Sequence, residues 1–476
     1  MPVPQILLIS CYELGHQPLE VAGPLGALRA AGLPAAAMDL AVQPLDPRAA
    51  RAARVVAIAT PMQTALRLGV QAGRRVRALN PRAHICFFGL YAWLNRDYLL
   101  THGADSVIGG EAEAPLARLA QAILAGTDPA GLAGVTTLGH ESQPSLERPT
   151  PTLPNRAPLP PLEAYTRYVG PVAPQLVGYT EATKGCQHLC RHCPIVPIYH
   201  GRMLVVPVEA VLADARQQIA AGAQHIVFGD ADFLNGPTHS LRIARVLHAE
   251  FPQVTFDFTA KVEHILEHRR LFPEFAALGC TFMTTAVESL SDPVLARLDK
   301  GHIGADVAEA LAVLAGAGIA VQATLVAFTP WTTLDDYLVL VDFIRAGGLE
   351  ENFRPVQMSV RLLVPPHSAL AEMPDAAEWL GPLEAANFSY GWQHPDPRMD
   401  ELHAAVSALV AGAEARAEPA RATHAQIAAV AYAAAGREPP AAWPVAALPS
   451  PTVPRLTEDW FCCAEPTLGQ LDLIQL

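Results

Sequence analysis

Apolar residues recur along this chain in short runs, separated by longer stretches with helical period. Runs of strand length occupy 4–11, 36–42, 54–60, 83–89 and 104–108. Helical patterning follows the first run to about Ala31 and returns at 62–79, 91–103 and 112–125. Short apolar strands alternating with helices predict a parallel sheet with helices on both faces. Five such strands before residue 126 fit a doubly wound domain, whose ligands bind at the carboxyl ends of the strands.

From Gly126 to Pro174 the chain is proline-rich and loses its period. The stretch Arg156-Ala157-Pro158-Leu159-Pro160-Pro161-Leu162 must be largely extended, since each proline removes a donor and restricts the residue before it. It reads as a linker. Strand-length runs resume near 176–181, 224–229, 254–260, 280–287, 318–327 and 356–364, with helices near 207–222, 237–250, 262–278, 304–317 and 332–347. Six parallel units are fewer than a closed eightfold barrel needs. The expected α/β architecture is therefore a flavodoxin-like doubly wound domain (1–126), a proline-rich linker (127–174), a six-strand partial (β/α) barrel (175–390) and a C-terminal helical region with a tail (391–476). That last region contains alanine-rich helices over 391–436 and a second proline-rich segment from Glu438 to Pro454.

Composition narrows the class. The chain has 476 residues, 51% of them hydrophobic and 17% charged, as a globular protein with a large core would. A net charge of −13 offers no help in binding nucleic acid or an anionic membrane, and neither is expected as a partner. The N-terminal run Ile6-Leu7-Leu8-Ile9 has no basic leader and reads as a buried strand. Charges interrupt the alanine-rich C-terminal run, so it is no membrane span. Eight cysteines without a scaffold-like spacing fit a reducing compartment, and a cytoplasmic location is expected. Lysine is confined to Lys184, Lys261 and Lys300, which base composition of the gene explains adequately at this stage.

One loop concentrates the chemistry: Lys184-Gly185-Cys186-Gln187-His188-Leu189-Cys190-Arg191-His192-Cys193-Pro194. Thiolates suit iron–sulfur clusters, and a cubane usually takes four of them. Three at Cys-x3-Cys-x2-Cys spacing leave one iron open to a substrate or cofactor. A three-cysteine zinc site is the competing reading, but zinc sites more often add a distant second pair, and none is present.

The loop resembles the cluster loop of the radical S-adenosylmethionine (SAM) enzymes. That resemblance implies a [4Fe-4S] cluster on Cys186, Cys190 and Cys193, with SAM on the fourth iron. It also implies a partial barrel, a small-molecule substrate and a flavodoxin or ferredoxin-type reductant. Val107-Ile108-Gly109-Gly110-Glu111-Ala112-Glu113 looks like the end of the cobalamin-binding-like domain that precedes many radical SAM barrels. Cobalamin itself is left open: the Asp-x-His-x-x-Gly loop is absent, and the turn Phe88-Gly89-Leu90-Tyr91-Ala92-Trp93 lacks paired glycines.

The resemblance nominates further residues. His192 stands where relatives often place an aromatic near the adenine, although a surface histidine fits equally. Asp230 and Asp232 follow the second barrel strand, where the family contacts the SAM amino group. Glu288 and Ser289 resemble the family's Gly-x-Glu-Ser turn, and Lys300-Gly301 its Lys-Gly segment. Arg361 lies in an apolar strand and needs an anion, either a SAM or substrate carboxylate or a structural aspartate. Cys11, Cys86 and Cys280 lie singly in apolar runs and read as core. Their isolation argues against a methylthiotransferase, which would carry three more cluster cysteines and a basic RNA-binding domain.

The tail Trp460-Phe461-Cys462-Cys463-Ala464-Glu465-Pro466 resembles the closing motif of the CUAEP/CCAEP-tail radical SAM family, some of whose members carry selenocysteine at the position of Cys463. Vicinal thiols bind soft elements, so Cys462 and Cys463 are expected to hold an arsenic or selenium compound at the barrel mouth. Two other readings stay open: a cobalamin-dependent radical methyltransferase, and a non-catalytic iron–sulfur protein for electron transfer or sensing.

Overall fold

The computed structural model describes residues 4–148, 152–170, 173–443 and 453–458. Two sheets organise it. The first contains β1 (Ile6–Ser10), β2 (Ala35–Asp39), β3 (Val55–Ala59), β4 (His84–Phe88) and β5 (Ser106–Ile108). All its pairings are parallel, in the order β2-β1-β3-β4-β5. This is the flavodoxin-like order, with a topological switch beside β1 that opens a crevice at the strand ends. β1 and β3 are buried along their whole length, as strands covered on both faces must be.

The second sheet is a nearly closed partial barrel. Its strands are β6 (Arg167–Val169), β7 (Gln175–Thr180), β10 (His225–Phe228), β11 (Thr255–Lys261), β12 (Cys280–Glu288), β13 (Ala320–Leu325) and β16 (Arg455–Leu456). Between β7 and β10 a small hairpin of β8 (Thr183–Gly185) and β9 (Met203–Val205) frames the cysteine loop, and a hairpin of β14 (Leu380–Glu384) and β15 (Ser389–Trp392) lies outside the barrel. The order is β13-β12-β11-β10-β7-β6-β16, and the five strands from β7 to β13 are mutually parallel. β6 and β16 add antiparallel edges. Gln322 of β13 reaches across the remaining seam and donates to Pro454 O, so the two edge strands nearly meet.

The sixth parallel strand expected at 356–364 is not formed. Residues Pro355–Ser359 make a 3₁₀ turn, and pairing is reduced to a single parallel bridge between Phe328 and Arg361. Gln357 is the physical reason. Its side-chain oxygen accepts from Leu325 N and so takes the place of a neighbouring strand's carbonyl.

The proline-rich stretch also differs from the expected linker. Val107 bridges Thr136 and Gly110 bridges Ser145, which ties the segment to β5. Arg156 is buried and makes a two-pronged ion pair with Asp214, at 2.8 and 2.9 Å. The same guanidinium donates to Tyr179 O of β7 and to Gln17 O beside the first sheet. One side chain therefore joins the two sheets through the segment between them. Removing one partner of a buried ion pair strands the other charge at a cost of about 3–5 kcal/mol. Asp214→Asn is expected to lower unfolding stability by about that amount, read from the midpoint of a urea titration.

Candidate active site

The carboxyl ends of both sheets face one cavity of about 250 Å³. From the first sheet come Leu14, Pro61, Met62, Gly89, Leu90 and Gly110; from the barrel come Glu181, Asp232, Lys261, Glu288 and Val326. Cys186, Cys190 and Cys193 line it, on the loop that follows β7. All three are free thiols. Gly185 makes the loop's entry tight. It sits at φ +76°, and a Cβ there would lie 2.4 Å from the Tyr199 ring and 2.5 Å from Arg202 O.

The thiols are not arranged for zinc. Thiolates sharing one tetrahedral zinc at about 2.3 Å stand about 3.8 Å apart. Among the described residues, the side chains whose ligand atoms lie within 4.8 Å of one another are His188, Asp232 and His264, and His264, Glu267 and His268. The three cysteines do not form such a group, and a wider spacing suits a cluster. Asn235 supports the loop from below. Its amide donates to Cys186 Sγ at 3.6 Å, its oxygen accepts from Gln187 N, and its carbonyl accepts from the Gln187 side chain.

Asp230 does not line the cavity. Its carboxylate accepts from Ala182 N and the Thr183 hydroxyl, which fixes the start of the cysteine hairpin, while burial pushes its pKa up to about 7. Asp232 does line it, but its oxygens are occupied by Leu234 N, Lys261 N and His264 Nδ1, the last at 3.0 Å. Each of the two carboxylates therefore has its own donors. From Asp232 a chain of contacts runs outward: His264 Nε2 to His188 Nε2 at 3.2 Å, then His188 Nδ1 to Lys261 Nζ at 3.0 Å. Lys261 can donate to His188 and His188 to His264, while His264 Nδ1 meets Asp232 as a close ionic contact without hydrogen-bond geometry. Lys261 opposes a second cation here.

Glu288 carries the clearest strain. It ends β12 at φ +64°, and Ser289 N donates to Val287 O across it, the hydrogen bond of a γ-turn. Such conformations cost of order 1–3 kcal/mol and persist where surroundings over-determine them. Here the surroundings are Lys300 Nζ at 3.2 Å and His192 Nε2 at 3.6 Å. Burial pushes the Glu288 carboxyl up, but Lys300 and then His192 outweigh it and hold the pKa at about 2. His192 is itself buried, which lowers its pKa and excludes the surface alternative. Ser289 turns away, its hydroxyl accepting from Ser291 N.

Arg361 belongs elsewhere. It pairs with Asp400 at 2.9 Å, donates to Trp392 O and stacks 3.6 Å over the Trp392 ring, in a separate polar cleft near the β14–β15 hairpin. Its anion is a structural aspartate. Cys11, Cys86 and Cys280 are buried in strands or at their ends, as expected of core. Cys462 and Cys463 lie outside the described residues.

Sequence reasoning missed the role of lysine. All three lysines of the chain line this one cavity, and each meets a carboxylate: Lys184 with Glu181 at 2.7 Å, Lys261 with Glu263 at 2.9 Å and Lys300 with Glu288. A chain that places arginine at its other cationic positions keeps lysine where a compact ammonium must fit among buried carboxylates. Their scarcity was the signal.

Because the folded Glu288 pKa lies below its ordinary 4.5, its contribution is present above about pH 4.5 and lost as pH falls toward 2. Glu288→Gln is expected to cost on the order of 2–3 kcal/mol at pH 7 and much less near pH 2, checked by urea unfolding at both.

Residues 180–344 match the family model for the radical SAM superfamily. Among curated proteins, the ribosomal protein uS12 methylthiotransferase RimO of Trichlorobacter lovleyi is 22% identical over 191 residues, 37% of this chain and 41% of that protein. The Geotalea uraniireducens RimO is 24% identical over 192 residues, covering 36% and 40%. This chain therefore spans about two-fifths of the length of those relatives. Among solved structures, the cobalamin-dependent SAM radical enzyme OxsB superposes with TM-score 0.65 at 14% identity, over 85% of this chain and 66% of that one. The radical SAM methyltransferase TsrM of Kitasatospora setae, with cobalamin and a [4Fe-4S] cluster bound, gives 0.57 at 16% identity, over 72% and 73%. These structural likenesses are of fold. Residues 180–344 are thus a radical SAM domain.

Proposed function

We propose that this enzyme reductively cleaves SAM at a [4Fe-4S] cluster on Cys186, Cys190 and Cys193 and modifies a small molecule bound between the two sheets. The observation that carries this reading is the placement of three free thiols on the loop after β7, facing a cavity closed by the strand ends of both sheets. Cluster and SAM together supply the one-electron chemistry. The chain's own residues bind, orient and exclude water. Glu288, ionised and clamped by Lys300, presents an acceptor to hydroxyl or ammonium protons of SAM. Asn235 donates to a ligand sulfur, a contact that tunes cluster potential. Asp230 and Ser289 support loops, and Arg361 has no part in the site. Leu189, 53% exposed between two cluster cysteines, marks the nearest face for a flavodoxin or ferredoxin-type donor.

The test is anaerobic reconstitution with SAM and dithionite, followed by mass spectrometry. 5′-Deoxyadenosine is expected, and replacing Cys186, Cys190 and Cys193 by alanine is expected to abolish both cluster absorbance and cleavage. A cluster whose spectrum ignores SAM would return the chain to an electron-transfer or sensing role.

Support for a soft-element substrate held by the tail comes from the segment before it. Arg455 and Leu456 pair with β6, and Tyr12, beyond β1, donates to the Glu458 carboxylate. Glu458 lies against Gly15, beside the cavity residues Leu14 and His16. Cys462→Ser/Cys463→Ser is expected to cut product yield at least tenfold while SAM cleavage persists; unchanged product would remove the tail from the chemistry.

A second reading adds cobalamin, which is bound in the TsrM and OxsB structures. The strand ends of the first sheet do face the cavity. Yet Gly109 is covered by the Trp93 ring, 2.6 Å from where a Cβ would sit, and Gly110 by Ser145 O at 2.1 Å. The turn is filled by the chain itself, which favours the reading without cobalamin. Corrin absorbance after anaerobic purification with hydroxocobalamin decides between them.

A further inference from the structure

The cavity has two chemically different ends. One carries the thiols, Asp232, Lys261 and the Glu288–Lys300 pair. The other lies where the turn after β1 meets the end of β7, and it carries Glu13, His16, Glu20 and Glu181. Behind it stand Glu111 and Glu113, which act on the same lysine as Glu20 and Glu181. Among the described residues, Lys184 is the cation seated among these five carboxylates, 2.7 Å from Glu181 and 3.5 Å from Glu20. A surplus of buried carboxylates is costly unless protons or a further cation join them. Burial accordingly raises the pKa of Glu13 and Glu181, with neighbouring carboxylates adding to the effect.

A second observation is independent of this charge count. His16 is 3% exposed, lines the cavity and stacks on Tyr179 with ring centroids 4.6 Å apart. Its imidazole has no hydrogen-bond partner among the described residues. On a buried side chain that lines the cavity, a ring nitrogen without a protein partner is free to accept from a ligand there. Burial and then Arg156 keep it neutral, with a pKa near 3, so it adds no positive charge and remains able to accept a proton from a donor.

The missing partner is not a small metal ion. No group of three of these carboxylates, among the described residues, brings its ligand atoms within 4.8 Å of one another. An organic cation spans such a spacing, and the adjoining wall of Leu14, Pro61, Met62 and Leu90 suits a hydrocarbon stem. We propose that this end of the cavity binds an ammonium or guanidinium group of the substrate, which joins Lys184 on the carboxylates of Glu20 and Glu181, with His16 accepting one of its hydrogens. The substrate class is therefore a cationic small molecule. The inference rests on the reading of this cavity as the substrate chamber.

The probes are n-butylamine, n-butylguanidine, n-butanol and butyrate, added to the full chain with its cluster reconstituted and SAM saturating, and followed by saturation-transfer NMR. The amine and guanidine are expected to bind at least tenfold more tightly than the alcohol or the acid. Glu20→Gln/Glu181→Gln is expected to erase that preference. Should the double variant fail to fold, Glu20→Gln alone, at a partly exposed position, is read in the same way. Equal binding of butanol or butyrate, displacement of the amine by SAM, or a preference that survives in the folded variant would each overturn the proposal. Binding needs no turnover, so the two readings fail separately. A chain that prefers the amine but leaves SAM intact refutes the radical reading; one that cleaves SAM without preferring the amine refutes this inference alone.

Discussion

Buried charge must be paired, and that constraint shapes this site more than any other. The carboxyl ends of the strands bring Glu181, Asp232 and Glu288 into a largely closed space, where an isolated carboxylate would cost several kcal/mol. The ammonium groups of Lys184 and Lys300 answer Glu181 and Glu288, while Asp232 accepts from the backbone N–H groups of Leu234 and Lys261. The pairing at Glu288 also holds a backbone conformation that a glutamate does not adopt unaided. Pairing and strain therefore fix one carboxylate, ionised, at the rim of the thiol loop. Asp230 shows the opposite solution, since neutral donors suffice for it and it leaves the cavity to others.

The facing of two strand-end surfaces follows from topology. A parallel sheet gathers its functional loops at one edge, and here two such edges are set against each other. The segment between the sheets has to hold that relation, which explains why it is stapled rather than loose. Arg156 reaches Asp214 behind the barrel, Tyr179 O within it and Gln17 O beside the first sheet. Closure of the barrel seam by Gln322 and Pro454 works to the same end from the other side, because it carries the chain back to Tyr12 and Gly15.

Much of this was legible in the sequence for a simple reason. Strands buried on both faces are written as apolar runs, and ten of the eleven parallel strands expected from such runs are observed, with every end within two residues except the C-terminal end of β2. The cysteine loop was legible because its spacing is local. What failed were partners distant in sequence. Arg361 needed an anion, and nothing local distinguished Asp400 from a ligand carboxylate. Val356 and Met358 read as strand because burial leaves the same apolar signature in a 3₁₀ turn. Prolines read as a linker because extended backbone looks alike whether solvated or packed. The lysines were visible as a count, but only their convergence on one cavity gave the count a meaning.

A division of labour follows from these placements. The barrel contributes the thiols and the clamped glutamate, which any radical SAM chemistry can use. The first sheet contributes Leu14, His16, Glu20, Pro61, Met62 and Leu90, of which Glu20 meets the first residue of the thiol loop, Lys184, at 3.5 Å. Under the proposed function, this facing wall is the part of the cavity left to select a substrate. The 22–24% identity with RimO proteins covers little more than a third of this chain, so it carries no information on what the facing sheet selects. The substrate has to be read from the charges and the unpartnered histidine on that opposite wall.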